Sequence, residues 1–506
     1  MKIFQFFRKG SSPATQPHEQ PAPPQPDAVS CAMPDAASGT GSTDAAPEGA
    51  GQISPQNCPT DCPAPSPGPV SRPEASPEAD PAGPTDASPP TATPLLSGGA
   101  YLLRCFKALG LMVGLGLCCV LPYTCWWLHA SGDLAVERAV AAQQTGQFAL
   151  FGSGISQDFV DYKLQLHAAV RPEIIAIGSS RVMQFRGHYF SRPFLNMGGV
   201  AGNLAVLRST VDAMLRQHRP RAVILGLDFW WFMPQWEARP FDEVPPTSGS
   251  YAYTLENLRK PWTWLLEGKI SLTELAAPLL GLVGMGFRDD RFGIMAQQTD
   301  DGFGTDGSWY YTAEATGLKP PFDYRFHDTL AQVHYGIKAF YRAAPSQPAP
   351  SMEHLDALAE ICCRLRSRGI QTFIFIPPLS RQVLEAMRQY EDGYPHLFQL
   401  REALAERGLD VLDFSDPRSF ASSDCEFVDG FHGGEIAYAR ILQRMADRWP
   451  ALLSFVHMER IATATRDWQG HVFVPDARLT SLPEIDFMHT GCAKRHPSPQ
   501  QAEARP

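Results

Sequence analysis

The chain has 506 residues and a formal net charge of -10. Of its 46 prolines, 21 fall in the first 100 residues, a stretch that also carries 10 Asp/Glu against 4 Lys/Arg. The remainder is near neutral and has neither a basic stripe nor interleaved aromatic and basic residues, which argues against nucleic acid as a partner.

Residues 1–100 are rich in Pro, Ala, Ser, Thr and Gly and have no sustained apolar period. Such a segment buries too little apolar surface to offset its ordering entropy, so a disordered tail is expected. Ala108 to Leu128 is a run of 21 uncharged residues. At helical rise it is long enough to cross a bilayer core, within a transmembrane segment placed at 101–130. Arg104 and Lys107 flank its start, whereas Tyr123, Trp126 and Trp127 close it as an aromatic belt. By the positive-inside rule the tail is then cytoplasmic and everything after the span lies outside. A short stalk is expected over 131–170.

From 171 to 450 a different pattern begins. Apolar runs at Glu173–Ile177, Ala222–Leu227, Thr372–Ile376 and Asp410–Phe414 alternate with helical spacing at 203–216, 352–368, 381–407 (broken near Gly393-Tyr394-Pro395) and 434–449. Strands that are apolar throughout and alternate with helices predict an α/β fold with a parallel sheet covered on both faces. In such sheets, sites form beyond the carboxyl ends of the strands, where Ser180, Asp228 and Pro377 fall. Residues 230–350 interrupt the alternation as an insertion, either a cleft wall or a surface excursion. Its Trp230, Trp231 and Trp236 suit either sugar stacking or a core. Residues 451–506 form a C-terminal extension whose last 25 or so residues are expected to be disordered.

No metal or cofactor is expected. Cys58 and Cys62 lack the companion ligands of a zinc site, and Asp300, Asp301 and Asp306 lack EF-hand spacing and suit a plain turn. The 11 cysteines, an odd number, suggest no disulfide framework.

The candidate chemistry is nucleophilic. A serine hydroxyl needs a base to take its proton, and a carboxylate to hold that base in the right tautomer. Ser180 ends the first strand in Gly178-Ser179-Ser180, with Ser179 as the runner-up. Asp429-Gly430-Phe431-His432 precedes the last helix, so one tight loop can present both Asp429 and His432. Arg181 follows the serine, either to bind an anionic group or, preferably, to pair with a nearby carboxylate.

These blocks, in this order, resemble the SGNH/GDSL hydrolase superfamily. The resemblance implies a three-layer α/β/α, flavodoxin-like fold, with Ser180, Asp429 and His432 as the catalytic triad. The run Phe194-Leu-Asn-Met-Gly-Gly-Val-Ala-Gly202 resembles the family's second block, making the backbone N–H of Gly202, or of Gly199, an oxyanion donor beside that of Ser180. The third block departs from the family: Asp228 stands where an Asn should donate. An ionised Asp228 would repel an oxyanion, so it is protonated, points elsewhere, or is replaced by another donor such as Asn203. The anchor, the Gly-Ser-Ser block and the strand ending in Pro377-Pro378 look most like membrane-anchored envelope acyl-transfer proteins, such as those of teichoic acid D-alanylation and alginate acetylation. That likeness implies a bacterial inner-membrane location with a periplasmic catalytic domain. It also implies an acyl donor that is a membrane-bound O-acyltransferase, and a polysaccharide or glycan acceptor. A carbohydrate O-deacetylase or esterase is the alternative enzyme, and a non-catalytic glycan-binding scaffold the alternative from another class.

Overall fold

The computed structural model describes residues 98–155, 159–234, 236, 254–318, 342–343, 349–479, 482–486 and 489–494. The Pro-rich tail before residue 98, the parts of the insertion at 237–253 and 319–341, and the end beyond 494 lie outside the described residues. The chain divides into two units. Thr15–Val113 is described only from Gly98 onward, as the first half of a helix, Gly98–Ala130, with Pro122 inside it. The other unit, which contains Gly114–Pro506, carries the sheets.

That unit holds a five-stranded, wholly parallel sheet and a four-stranded accessory sheet. In chain order the strands are β1 (Leu150–Phe151), β2 (Ile174–Gly178), β3 (Phe194–Gly198), β4 (Ala222–Gly226), β5 (Arg291–Phe292), β6 (Gly302–Phe303), β7 (Trp309–Tyr310), β8 (Gln371–Ile376) and β9 (Val411–Asp413). The main sheet has the order β3-β2-β4-β8-β9, and the accessory sheet β5-β1-β6-β7. Every residue of β2, β3 and β4 is buried, which the unbroken apolar runs of β2 and β4 predict.

Alternation along the strands separates two cores. Ile175, Ile177, Val223, Leu225, Ile374 and Ile376 enter one cluster, joined by side chains of helices Val160–Val170, Leu204–Gln217 and Met352–Arg366. Ile174, Ala176, Ala222, Ile224, Phe373 and Phe375 enter the other, joined by helices Glu435–Arg448 and Met458–Asp467. Period-two geometry sends these two sets to opposite faces.

Three boundaries differ from expectation. Residues 131–170 are not a free stalk: Val136, Ala139, Val140, Phe151 and Tyr162 belong to the first core. The insertion builds the accessory sheet by adding β5, β6 and β7 to β1, and β7 ties back to the segment after β2 through Trp309 N–H donating to Met183 O at 3.1 Å. In the C-terminal extension, residues 451–479, 482–486 and 489–494 are described, and a Cys425–Cys492 disulfide fastens it. Two cysteines expected to be incidental are thus paired across 67 residues.

The candidate active site

The strand order reverses between β2 and β4, because the chain runs from β2 to β3 on one side and then returns to β4 on the other. The carboxyl ends of β2 and β4 therefore flank a crevice. Both strands end in glycine. A Cβ on Gly178 would come within 2.5 Å of Val182 Cγ2 and 2.8 Å of Gly226 O, so only glycine lets the Ser180–Val182 turn fold tightly across the strand ends.

That turn raises Ser180, half-buried, to the crevice. Its Oγ lies 3.0 Å from His432 Nε2. On the other side of the ring, His432 Nδ1 lies 3.0 and 2.9 Å from the two carboxylate oxygens of Asp429. The carboxylate assigns the ring proton to Nδ1, which leaves the Nε2 lone pair facing the serine hydroxyl. Asp429 is itself held by the N–H groups of Phe431 and His432, both 2.7 Å from its Oδ1. The loop is pinched shut by an antiparallel bridge between Phe427 and Gly433, with Val428 N–H donating to His432 O at 2.8 Å. Neither Asp429 nor His432 caps the following helix, whose N-cap is Gly434. Ser179 points away: its buried hydroxyl oxygen accepts from Arg181 N–H at 3.1 Å, as the cap of the turn.

Arg181 is sealed beneath the crevice, 1% exposed. Its guanidinium donates to Asp228 Oδ1 at 3.2 Å and to the carbonyls of Phe431, Pro377 and Pro378 at 3.2, 2.7 and 2.8 Å. Three loops that build the site thus converge on one cation, and Tyr438 adds a hydroxyl bond to the Arg181 carbonyl. The preferred reading of Arg181, pairing with a carboxylate, matches this geometry, and an anion-binding role does not. Asp228 points at Arg181, the second of the three alternatives open to it. Burial pushes its carboxyl up to about 6, against the lowering pull of the Arg181 charge.

The candidate oxyanion donors separate in the same way. Gly199, at a φ of 90°, spends its N–H on Gly178 O at 3.1 Å, so it is withdrawn from the role. Among the described residues, no hydrogen bond engages the N–H of Ser180 or of Gly202. Asn203 caps the next helix, its Oδ1 accepting from Val206 N–H at 2.8 Å. Its side-chain amide N–H groups make no bond among the described residues and stay at the half-buried rim.

The insertion supplies one wall. The Tyr311 ring stands 6.0 Å from that of His432. Trp236 Nε1 donates to Gly202 O at 3.0 Å. Trp230 and Trp231 are core residues, 3% and 0% exposed, and Trp230 lies 5.4 Å over the Arg181 guanidinium. Asp300 pairs with Arg291 at 2.6 Å, Asp301 accepts from Ala313 N–H, and Asp306 accepts from Ser308 N–H at 2.9 Å and Gly187 N–H at 2.6 Å, so the three carboxylates tie separate segments together and only Asp306 also closes its own turn.

One feature of the site has no signal in local sequence. Glu314 is buried behind Tyr311, and its Oε2 has no hydrogen-bond partner among the described residues. Burial, then the charges of Asp301 and Asp429, holds its carboxyl well above the usual carboxylate range. Asp301 is raised in turn, mainly by burial. The two carboxyls come together because helix Thr312–Thr316 packs there. In comparisons with known proteins, no protein-family model and no curated protein matches the chain.

Proposed function

We propose that the chain is a membrane-anchored serine O-acyltransferase with an SGNH-type three-layer domain. It lies outside the cytoplasmic membrane and acylates a polysaccharide or glycan. The observation that carries this reading is the relay Ser180–His432–Asp429 at the strand-order reversal, with contacts of 3.0, 3.0 and 2.9 Å. The Cys425–Cys492 disulfide supports an oxidising compartment. The apolar helix Gly98–Ala130 supports the anchor.

The chemistry runs in two steps. His432 Nε2 takes the Ser180 proton as Oγ bonds to the acyl carbon of the donor. The donor's C–O bond breaks, and its oxygen leaves with the proton from His432. In the second step a glycan hydroxyl gives its proton to His432 and bonds to the acyl carbon. The Ser180 C–O bond breaks and Oγ recovers the proton. Asp429 stabilises the imidazolium formed in each step. The N–H groups of Ser180 and Gly202 are the donors left for the tetrahedral oxyanion. Water in place of the glycan hydroxyl gives hydrolysis by the same route.

The test uses full-length protein in detergent, an acyl-ester reporter and a soluble glycan. Wild type should release the reporter alcohol, with acyl ester appearing on the glycan, and Ser180→Ala should do neither. Acid release with no acyl-glycan makes the protein an esterase. No difference between wild type and Ser180→Ala on either readout rejects the catalytic reading and favours a scaffold.

A further inference from the structure

The end of the apolar helix is not bare. Tyr123 donates its hydroxyl to Leu275 O at 2.6 Å, and Trp127 Nε1 donates to Glu274 O at 2.9 Å. Thr124 accepts from Trp262 Nε1 at 2.8 Å. Trp127 and Leu128 are fully buried in a small core with Trp264, Ile270 and Leu275. These partners come from helix Leu255–Leu266 and the short helices Leu272–Leu275 and Ala277–Gly281. The insertion therefore wraps the last turn and a half of the helix as a collar.

The outside of this collar is apolar. Leu266, Leu272, Leu279, Leu282, Val283 and Met285 are between 51% and 88% exposed. The run from Leu275 to Phe287 contains no charged residue. A soluble domain rarely leaves so many large aliphatic side chains together in water. The charges flanking this run have partners: Glu274 accepts from Ser271 and Gln298, Arg288 pairs with Asp300, and Glu267 pairs with Lys269 at 2.9 Å.

Helix length says what covers it. The uncharged stretch from Ala108 to Leu128 spans about 31 Å at helical rise, matching a hydrocarbon core of about 30 Å. Of its last six residues, however, Thr124, Trp127 and Leu128 are buried against the collar and Tyr123 is bonded to it, while Trp126 stays 38% exposed. From Ala108 to Pro122 the bare stretch spans only about 22 Å. Arg104 and Lys107 mark the other boundary, so the remaining ~8 Å of hydrocarbon falls at the level of Tyr123 to Leu128. At that level the collar, not the helix, presents much of the surface.

We infer that residues 254–287 form a membrane-embedded collar, whose Leu279, Leu282, Val283 and Met285 enter the extracytoplasmic leaflet and contact lipid acyl chains. The inference rests on the reading of Ala108–Leu128 as a membrane span. The collar fixes the domain at the bilayer surface rather than on a swinging tether. Helix Thr312–Thr316 and strands β5, β6 and β7, which belong to the same insertion, join that surface to the wall beside His432.

The test places a fluorescent amino acid at Met112, Leu282 or Leu453 in the full-length protein, reconstituted in nanodiscs of phosphatidylethanolamine and phosphatidylglycerol. All three positions are exposed, so the probe displaces no core contact. Lipids carry a spin-label quencher near either the headgroup or the chain end. Met112 should be quenched best by the chain-end label. Leu282 should be quenched best by the headgroup-proximal label, to at least about half the extent seen at Met112. Leu453 should not respond. If Leu282 behaves like Leu453 while Met112 is quenched, the collar is wrong and the span survives. If Met112 is not quenched either, the span reading fails and the collar with it.

Discussion

Ser180 and Arg181 are neighbours in the chain, yet they belong to opposite kinds of polar site. Ser180, His432 and Asp429 form a relay whose serine end is half-open to the crevice. Arg181 and Asp228 form an ion pair, each 1% exposed, closed over by three carbonyls. The residue types on the two sides are alike: a cation or base, a carboxylate and loop backbone. Asp429 is as buried as Arg181, so it is the half-open serine end that separates a group able to meet a substrate from one that holds the loops in place. A charge removed from the sealed side leaves its partner uncompensated in low dielectric, whereas the open side tolerates truncation and loses chemistry.

That contrast predicts a double dissociation. Ser180→Ala should lower acyl transfer or hydrolysis by about 10³-fold or more, with the unfolding free energy within about 0.5 kcal/mol of wild type. Arg181→Ala should do the reverse in kind. It should destabilise by about 3–5 kcal/mol in denaturant unfolding, with lost activity tracking lost folded protein. A stable Arg181→Ala protein with a raised KM would instead mean that Arg181 binds substrate, and the contrast would collapse.

Smaller effects sharpen the boundary between site and support. Cys492→Ser opens the covalent link that ties the C-terminal strap beside the triad loop, and should cost about 2–4 kcal/mol in oxidised protein. Under reducing conditions the two proteins should unfold alike. The smallest expected effect concerns Glu314. Its folded carboxyl is raised above the ordinary value of 4.5, so the native state binds more protons than the unfolded chain above that pH. Stability contributed by this group is therefore lost as pH rises from about 4.5 through the folded value. Relative to wild type, Glu314→Gln should gain stability progressively as pH rises from about pH 5 to pH 8, read as parallel thermal melts. Melts that keep a constant separation over that range would remove Glu314 from the ionisable groups near the triad.

Much of the main sheet was legible because its strands are unbroken apolar runs. The expected 222–227 and 372–376 appear as Ala222–Gly226 and Gln371–Ile376. Helix starts were legible where a side chain caps them, as Asn203 does for Leu204–Gln217. Strand β3 was not, because Asn196 sits in its centre and reads as loop. In the fold that amide is fully used, donating to Val182 O and Phe185 O and accepting from Gly198 N–H. The two-residue strands of the accessory sheet have no period to detect. At the site, Ser180, Asp429 and His432 were legible from spacing and order. The pairing of Arg181 with Asp228, separated by 47 positions, was anticipated in type for Arg181 but not in partner. Glu314 and the Cys425–Cys492 link depend on contacts made only by tertiary packing. Which glycine keeps its N–H depends on one hydrogen bond, Gly199 to Gly178, that spacing does not reveal.

The central claim is that Ser180 is a nucleophile activated by His432. A serine-directed fluorophosphonate, followed by peptide mass mapping, tests it most directly on full-length wild type, Ser180→Ala and His432→Ala. One adduct is expected, on the peptide containing Ser180, absent in Ser180→Ala and strongly slowed in His432→Ala. An unlabelled wild type, or the same labelling rate in all three proteins, would contradict it.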